Sequence, residues 1–317
     1  MLDVPLLLSQ KQQNLQMENI DRFSSLPDHI AHHILSFLSM EDISRLCIVS
    51  KTCRELCISI PVLTFDALPY RDNARKRNQL MNYLDLFLLQ RKWMDTTHCY
   101  INWTVQNNVF QEDYRVISLL HNEVMCKVPL LHVMLKTEGI FILPPSVLCC
   151  GSWKTLTINL VDGILKFPSF IDTFGFSNLR SLSLRSVQIN ESFGKWVSSY
   201  WQFLEYLDLH DISGTKSLIV TSSSLEILKI WSLRNVVFRI NVSAEFLREL
   251  RLVWTFRPEE RVLELSTPRL THFVCGGSIL NLSLKGNLDS LLMSGSLFEF
   301  PSVADTSTSQ CLRCFLR

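Results

Sequence analysis

A chain of 317 residues that is 47% apolar and 19% charged, with a formal net charge of +1, is a folded protein and not a disordered one. The near-neutral balance excludes a broad electrostatic footprint for nucleic acid or an anionic membrane, so partners are recognised by local surface. Ten cysteines spread through so long a chain fit buried free thiols in a reducing compartment, not a disulfide scaffold.

Residues 1–20 are polar, Gln-rich and aperiodic, the pattern of a disordered lead. Leu6, Leu7 and Leu8 make too short an apolar run for a signal peptide, and no basic segment precedes them. No run reaches the ~18 apolar residues of a membrane span. A cytoplasmic or nuclear location is expected, with no membrane partner.

Organised sequence begins near "LPDHIAHHILSFL" at residues 26–38. Pro27 suits the first turn of a helix, where a missing N–H costs nothing. Ile30, Ile34, Leu35 and Leu38 then form one apolar stripe at helical period. Ser39, three residues before Asp42, resembles a capping box and starts a second helix with Ile43, Leu46, Cys47 and Val49 on its buried side. Ser50 caps a third, which turns Cys53, Leu56 and Cys57 inward. Three short helices bury too little to stand alone, so a partner is expected to cover part of the aliphatic face. His29, His32 and His33 lie mostly off the stripe. H-x-x-H-H could ligate a metal, but no further ligand stands at a fitting spacing, and solvated surface is expected.

This stretch resembles an F-box, the motif that docks a protein onto the Skp-type adaptor of a cullin ubiquitin ligase. The resemblance rests on Leu26 and Pro27, on Ile30, Ile34, Leu35 and Leu38, on Asp42 and Leu46, and on Val49, Ser50, Lys51, Arg54 and Leu56. It implies an F-box over 21–62. Adaptor contacts are implied at Leu26, Pro27, Ile30, Ile34, Leu35, Leu38, Leu46, Val49, Ser50, Cys53 and Leu56. Many plant members carry tryptophan where Cys53 and Cys57 stand, a departure that would remove contact area.

Residues 63–129 read as a helical connecting region. Its clearest element holds Leu80, Leu84, Phe87 and Leu88 inward. The basic run Ala74–Arg75–Lys76–Arg77 at its start reads as a solvated helix face, in preference to a nuclear import signal.

A repeat follows over 130–293. "LLHVML", "WKTLTI", "LRSLSL", "LEYLDL", "LEILKI", "LRELRL" and "LTHFVC" fit one apolar-x-x-apolar-x-apolar template. They begin at Leu130, Trp153, Leu179, Leu204, Leu225, Leu247 and Leu270. Those starts lie about 21–26 residues apart, inside the leucine-rich-repeat range. Each unit supplies one parallel strand that cannot bury its apolar face alone, so neighbours stack into a solenoid. "ILNLSL" at 279 and "LDSLLM" at 288 also fit, but their nine-residue spacing reads as a terminal irregularity or chance.

Residues between the template positions face the concave side: His132, Met134, Thr155, Thr157, Ser181, Ser183, Ile227 and Val253 among them. The candidate target-binding set is Arg185, Tyr206, Asp208, His210, Lys229, Trp231, Glu249 and Arg251, an aromatic and arginine mixture typical of interface anchors. The Asn usual in the following turn is replaced by Val187, Ile212, Leu233 and Thr255, so these turns must be built differently. This irregular form is similar to the plant F-box/leucine-rich-repeat family. Residues 294–317 read as a poorly ordered tail, in which Cys311 and Cys314 make at most half of a zinc site.

The expected fold is therefore α/β: a three-helix F-box followed by an irregular leucine-rich-repeat solenoid with a parallel sheet on its concave face. No G-x-S-x-G, P-loop, H-E-x-x-H or G-x-G-x-x-G motif occurs, so no catalytic activity and no cofactor are expected. The resemblance implies a non-catalytic substrate receptor of a Skp–cullin–F-box ligase, joined through the adaptor to a cullin and a RING subunit and binding a protein target. The alternative is a non-degradative interaction scaffold with a weakened F-box. A small-molecule sensor ranks last, because Asp208 and Glu249 dilute the positive charge of Arg185, Lys229 and Arg251.

Overall fold

A computed structural model describes residues 22–70, 72–91, 96–105, 112–121, 127–148, 150–167, 176–232, 237–254, 262–276, 281–285 and 292–294. Three helices open it: α1 (Asp28–Leu35), α2 (Met40–Val49) and α3 (Lys51–Ile58). The Ser39 hydroxyl accepts from Asp42 N–H at 3.2 Å and the Ser50 hydroxyl from Cys53 N–H at 3.0 Å, so both expected caps form. Val49, expected on the buried side of α2, is instead largely exposed.

Strand β1 (Val62–Asp66) follows at once, then a 3-10 turn at Leu68–Tyr70, α4 (Ala74–Gln90), β2 (His98–Thr104) and α5 (Glu112–His121). The region 63–129 is thus not a helical connection. It holds the first two strands of a ten-stranded parallel sheet that continues through β3 (Leu130–Lys136), β5 (Thr155–Val161), β7 (Ser181–Arg185) and β9 (Tyr206–His210). The sheet ends with β11 (Ile227–Ser232), β13 (Glu249–Trp254), β15 (His272–Gly276) and β17 (Leu292–Ser294). Ile60, Leu63 and Phe65 obey the repeat template and are buried. The full helices α4 and α5 stretch these units beyond the usual repeat length, which hides them from a search at constant period.

Alternate residues of each strand build the core. Leu156, Leu182, Leu207, Leu228, Leu250 and Phe273 stand in one register row, each buried. A fully buried leucine contributes about 1.5–3 kcal/mol, so the row is a continuous source of cohesion. The first repeat is shifted from its expected place. Leu130 pairs with Thr155 on the outward face, and Val128, Leu131 and Val133 fill the core positions.

Two further sheets close the opposite side. One joins β4 (Ile140–Ile142), β6 (Ile164–Lys166) and β8 (Val187–Gln188); the other joins β10 (Ser217–Ser222), β12 (Arg239–Ala244), β14 (Val262–Ser266) and β16 (Asn281–Lys285). That resolves the nine-residue spacing at the end of the repeats. "ILNLSL" supplies β16 of the second sheet and "LDSLLM" supplies β17 of the main one, so both are real strands of different layers. Short helices α6 (Pro145–Leu148) and α7 (Ser192–Ser199) complete the same side.

Two of the four missing asparagines have a structural answer, and Leu233 and Thr255 lie outside the described residues. Val187 and Ile212 are fully buried, and the turn is made one residue earlier by left-handed backbone at Ser186 (φ 56°) and Asp211 (φ 54°). Asp162 (φ 64°) does the same after β5. Short polar side chains tolerate that conformation better than bulky ones. Ser186 N–H then donates to His210 O at 2.9 Å and Asp211 N–H to Trp231 O at 2.7 Å, which satisfies the backbone from repeat to repeat.

The three N-terminal helices are not a separate body. Leu35, Met40 and Ile43 pack in one cluster with Leu63, Leu84 and Phe87, so the solenoid's own first unit covers one face of the helices. The proposed lead at 1–20, residues 295–317 of the tail and Cys311 with Cys314 lie outside the described residues.

Candidate functional site

Two surfaces hold the residues singled out above. The first is the free side of α1 and α2. Ile30 and Ile34 project from α1 with Phe37 just beyond its end, and Ile48 and Val49 project from the end of α2. Phe37 is 76% exposed, Ile48 80% and Val49 70%. Isolated exposed apolar residues are ordinary, but five large ones on two consecutive helices, with Pro27 exposed at the start of the first, are an apolar surface patch of unusual density for some twenty residues.

The implied adaptor residues divide between this patch and the interior. Pro27, Ile30, Ile34 and Val49 are on it, and Leu26, Leu38 and Leu46 are partly buried at its base. Leu35, Cys53 and Leu56 are buried inside the chain, so they carry the patch from behind and offer no surface. Ser50 is engaged as the cap of α3. Phe37 and Ile48 were missed, although a helical wheel shows both: Phe37 lies three residues after Ile34, and Ile48 lies off the buried stripe of α2.

Two of the three histidines of α1 are engaged within the chain, and His29 is exposed. His32 Nε2 and the Ser59 hydroxyl are 2.9 Å apart, and the His33 ring meets Phe37 edge-on at 5.0 Å. Behind them the cysteines interact: a hydrogen bond from the Cys57 thiol, opposed by burial and aided by the Tyr83 hydroxyl and the Arg54 charge, draws Cys47 down to about 6. The same contact pushes Cys57 well above its ordinary value.

The second surface is the outward face of the main sheet. All eight candidate residues lie there on four adjacent strands, β7, β9, β11 and β13. Register places Arg185, His210, Trp231 and Val253 in one row, Ser183, Asp208, Lys229 and Arg251 in the next, and Ser181, Tyr206, Ile227 and Glu249 in the third. Strands lie ~4.8 Å apart, so the group spans roughly 14 Å across the sheet.

Most of these side chains are tied to each other. Asp208 Oδ1 lies 3.0 Å from His210 Nε2, and the Tyr206 hydroxyl donates to Asp208 Oδ2 at 3.4 Å. The His210 ring stacks on Trp231 at 5.3 Å with planes 8° apart. Trp231 is therefore half-covered, not freely exposed as its sequence position suggests. Lys229 Nζ sits 5.1 Å over the Tyr206 ring, and Arg251 Nε donates to Glu249 Oε1. Arg185 is exposed and forms no ion pair among the described residues.

The unrecognised first strands extend the face toward the helices with Thr64, Asp66, Tyr100 and Asn102. Tyr100 packs on His132, ring centroids 5.8 Å apart. Asn159 sits one strand before Arg185 in its row, with its side-chain oxygen buried and without a hydrogen-bond partner among the described residues.

Comparison with known proteins agrees with this division. Residues 23–65 match the F-box domain, and residues 128–281 match the leucine-rich repeats described for the FBD-associated F-box protein At5g56370. Among curated relatives, the F-box/FBD/LRR-repeat protein At4g03220 of Arabidopsis thaliana is 26% identical over 84% of this chain and 53% of its own length. The F-box/LRR-repeat protein At4g14103 of the same plant is 26% identical over 86% of this chain and 66% of its own. The FBD-associated F-box protein At4g13985 is 28% identical over 66% of this chain and 46% of its own. The chain thus spans between about half and two thirds of the length of these relatives. No solved structure matches it. Among the described residues, no helix is long and apolar enough to cross a membrane.

Proposed function

Because the chain belongs to the family of F-box proteins with leucine-rich repeats, we propose that it is the substrate-recognition subunit of a Skp–cullin–F-box E3 ubiquitin ligase. The helical patch docks a Skp-type adaptor, which brings a cullin and a RING subunit, and the outward face of the main sheet receives a target protein. Ubiquitin transfer takes place on other subunits. This chain contributes proximity, holding the target where its effective concentration near the charged ubiquitin carrier is high.

The observation that supports the adaptor role most directly is the uncovered apolar patch of Pro27, Ile30, Ile34, Phe37, Ile48 and Val49. The solenoid already covers the other side of the same helices, so a binding partner has a preformed, rigidly backed surface. The departures at Cys53 and Cys57 lie inside the chain, which weakens the case for a scaffold without adaptor.

The test is binding of purified Skp-type adaptor by isothermal calorimetry to the intact chain and to Ile34→Asp/Ile48→Asp. Both residues are exposed, so the variant keeps its helical circular dichroism. Loss of two interface anchors costs about 2 kcal/mol or more, roughly a thirtyfold rise in Kd. No binding by the folded intact chain sinks the ligase reading and leaves the interaction scaffold.

A further inference from the structure

The charges on β7, β9, β11 and β13 are unevenly matched. Each anion on the outward face of these strands has a hydrogen-bonding partner beside it: Asp208 contacts the Tyr206 hydroxyl and His210, which carries charge only when protonated, and Glu249 pairs with Arg251. The pairs at the strand entrances close on themselves as well, Arg180 with Glu205 and Arg248 with Glu226. Arg185 and Lys229 are left with no ion pair among the described residues; Lys229 is held over the Tyr206 ring, with Asp208 its register neighbour on β9.

The two cations are also spaced. Arg185 is on β7 and Lys229 on β11, with β9 between them. By register Lys229 is level with Ser183, two residues from Arg185 along the strand direction. Two strand separations of ~4.8 Å and two residue steps of ~3.3 Å put their Cα atoms roughly 12 Å apart. On β9 between them stand His210, level with Arg185, and Asp208, level with Lys229, and the His210 ring stacks on Trp231 of β11.

Resting on the reading of this face as the target surface, we infer that the target presents an extended acidic segment with two carboxylates four residues apart. Arg185 and Lys229 receive one carboxylate each. An extended chain advances ~3.3 Å per residue and turns every second side chain to the same face. Residues four apart therefore span about 13 Å and bridge the two anchors, with the middle same-face residue passing over His210 and Asp208 of β9. Separate anchors favour two single charges over one doubly charged group. Glu249 is neutralised by Arg251, and Asp208 is tied down by Tyr206 and His210. With Arg185, Lys229 and Arg251 against Asp208 and Glu249, the cations outnumber the anions on these four strands, which is why the face accepts an anion despite its mixed composition.

The experiment uses the full chain and four fluorescein-labelled peptides of one neutral framework, each with a photo-crosslinking side chain. Two positions four residues apart carry glutamate in the first, lysine in the second and serine in the third; the fourth has one phosphoserine. Fluorescence anisotropy gives affinity, and mass spectrometry of the crosslinks gives the strand contacted. Expected is preferential binding of the glutamate peptide, weakened by salt, crosslinked to β7–β13, and reduced about tenfold by Arg185→Glu/Lys229→Glu, which in turn prefers the lysine peptide. Stronger binding of the lysine, serine or phosphoserine peptide on these strands overturns the two-carboxylate assignment while the face stands as the target surface. Glutamate-peptide crosslinks confined to the β10–β16 sheet or the N-terminal helices overturn both readings. Equal or undetectable binding of all four overturns the acidic-segment assignment.

Discussion

Ser186 shows how one residue sets the geometry of a repeat. It follows β7 with φ at 56°, donates its N–H to His210 O and accepts Leu165 N–H at 2.8 Å, so it joins both layers of the solenoid at a turn. A left-handed backbone costs an ordinary L-residue about 1–2 kcal/mol, and a β-branched one more. Glycine escapes that cost but loses about 0.5–1 kcal/mol of chain entropy. Ser186→Val is therefore expected to destabilise by about 2 kcal/mol, whereas Ser186→Gly leaves stability within about 0.5 kcal/mol of the parent. Urea unfolding of the two variants checks this, and equal midpoints for Val and Gly would show that the turn relaxes to negative φ. The target-face residues are harder to read at this scale. Sequence alternation places Trp231 and His210 outward, but nothing local says that adjacent strands stack one ring on the other.

Helix α7 illustrates packing between elements. Gly194 lies in it, and an added Cβ would fall well inside contact distance of Ile219 O on β10. Replacing a helical glycine by alanine normally gains up to about 1 kcal/mol. Here the obstacle is a backbone carbonyl that cannot rotate away, and overpacking of this kind costs about 1–3 kcal/mol. Gly194→Ala is thus expected to lower thermal stability, with hydrogen exchange accelerated first in α7 and β10; an unchanged or raised Tm would place the helix further from the sheet. Much of the element level was legible beforehand. The F-box caps at Ser39 and Ser50, the inward face of α4 and the leucine strands from Trp153 onward all follow from periodicity and local hydrogen bonding. What escaped was nonlocal. β1 and β2 were hidden by the length of α4 and α5, which breaks the repeat period. The sheet of β10, β12, β14 and β16 was hidden because its short alternating strands form only by pairing with residues some twenty positions away. The exposure of Phe37 and Ile48 was legible from the helical wheel, as was the inward turn of Cys53 and Leu56; which residues of the α1 stripe are buried, Leu35 but not Ile30 or Ile34, depended on which face the solenoid covers.

At the scale of the whole molecule, the proposed receptor role requires the helical patch and the main sheet to be held at a fixed distance, and Arg91 provides one of the ties. Its side chain is fully buried just beyond α4. The guanidinium donates to Ile58 O at the end of α3 and to Ile60 O before β1, and to the Thr96 hydroxyl before β2 at 3.0 and 3.1 Å. Burial pulls Arg91 down to about 10, which still leaves it charged at neutral pH. One planar group thus joins the last F-box helix to the first two strands of the main sheet, a fork that lysine cannot reproduce. Arg91→Leu leaves two carbonyls and a hydroxyl without their donor, at about 1–3 kcal/mol for each group that water does not reach. The leucine recovers part of this by filling the volume, so a net loss of about 2–5 kcal/mol is expected. Arg91→Lys should fall between Leu and the parent. Limited proteolysis is the discriminating measurement, because loss of the tie predicts early cleavage between α3 and β1 while the later repeats stay protected. Uniform destabilisation without selective cleavage there would mean that shared apolar packing of Leu35, Ile43, Leu63 and Phe87 alone fixes the helices to the solenoid.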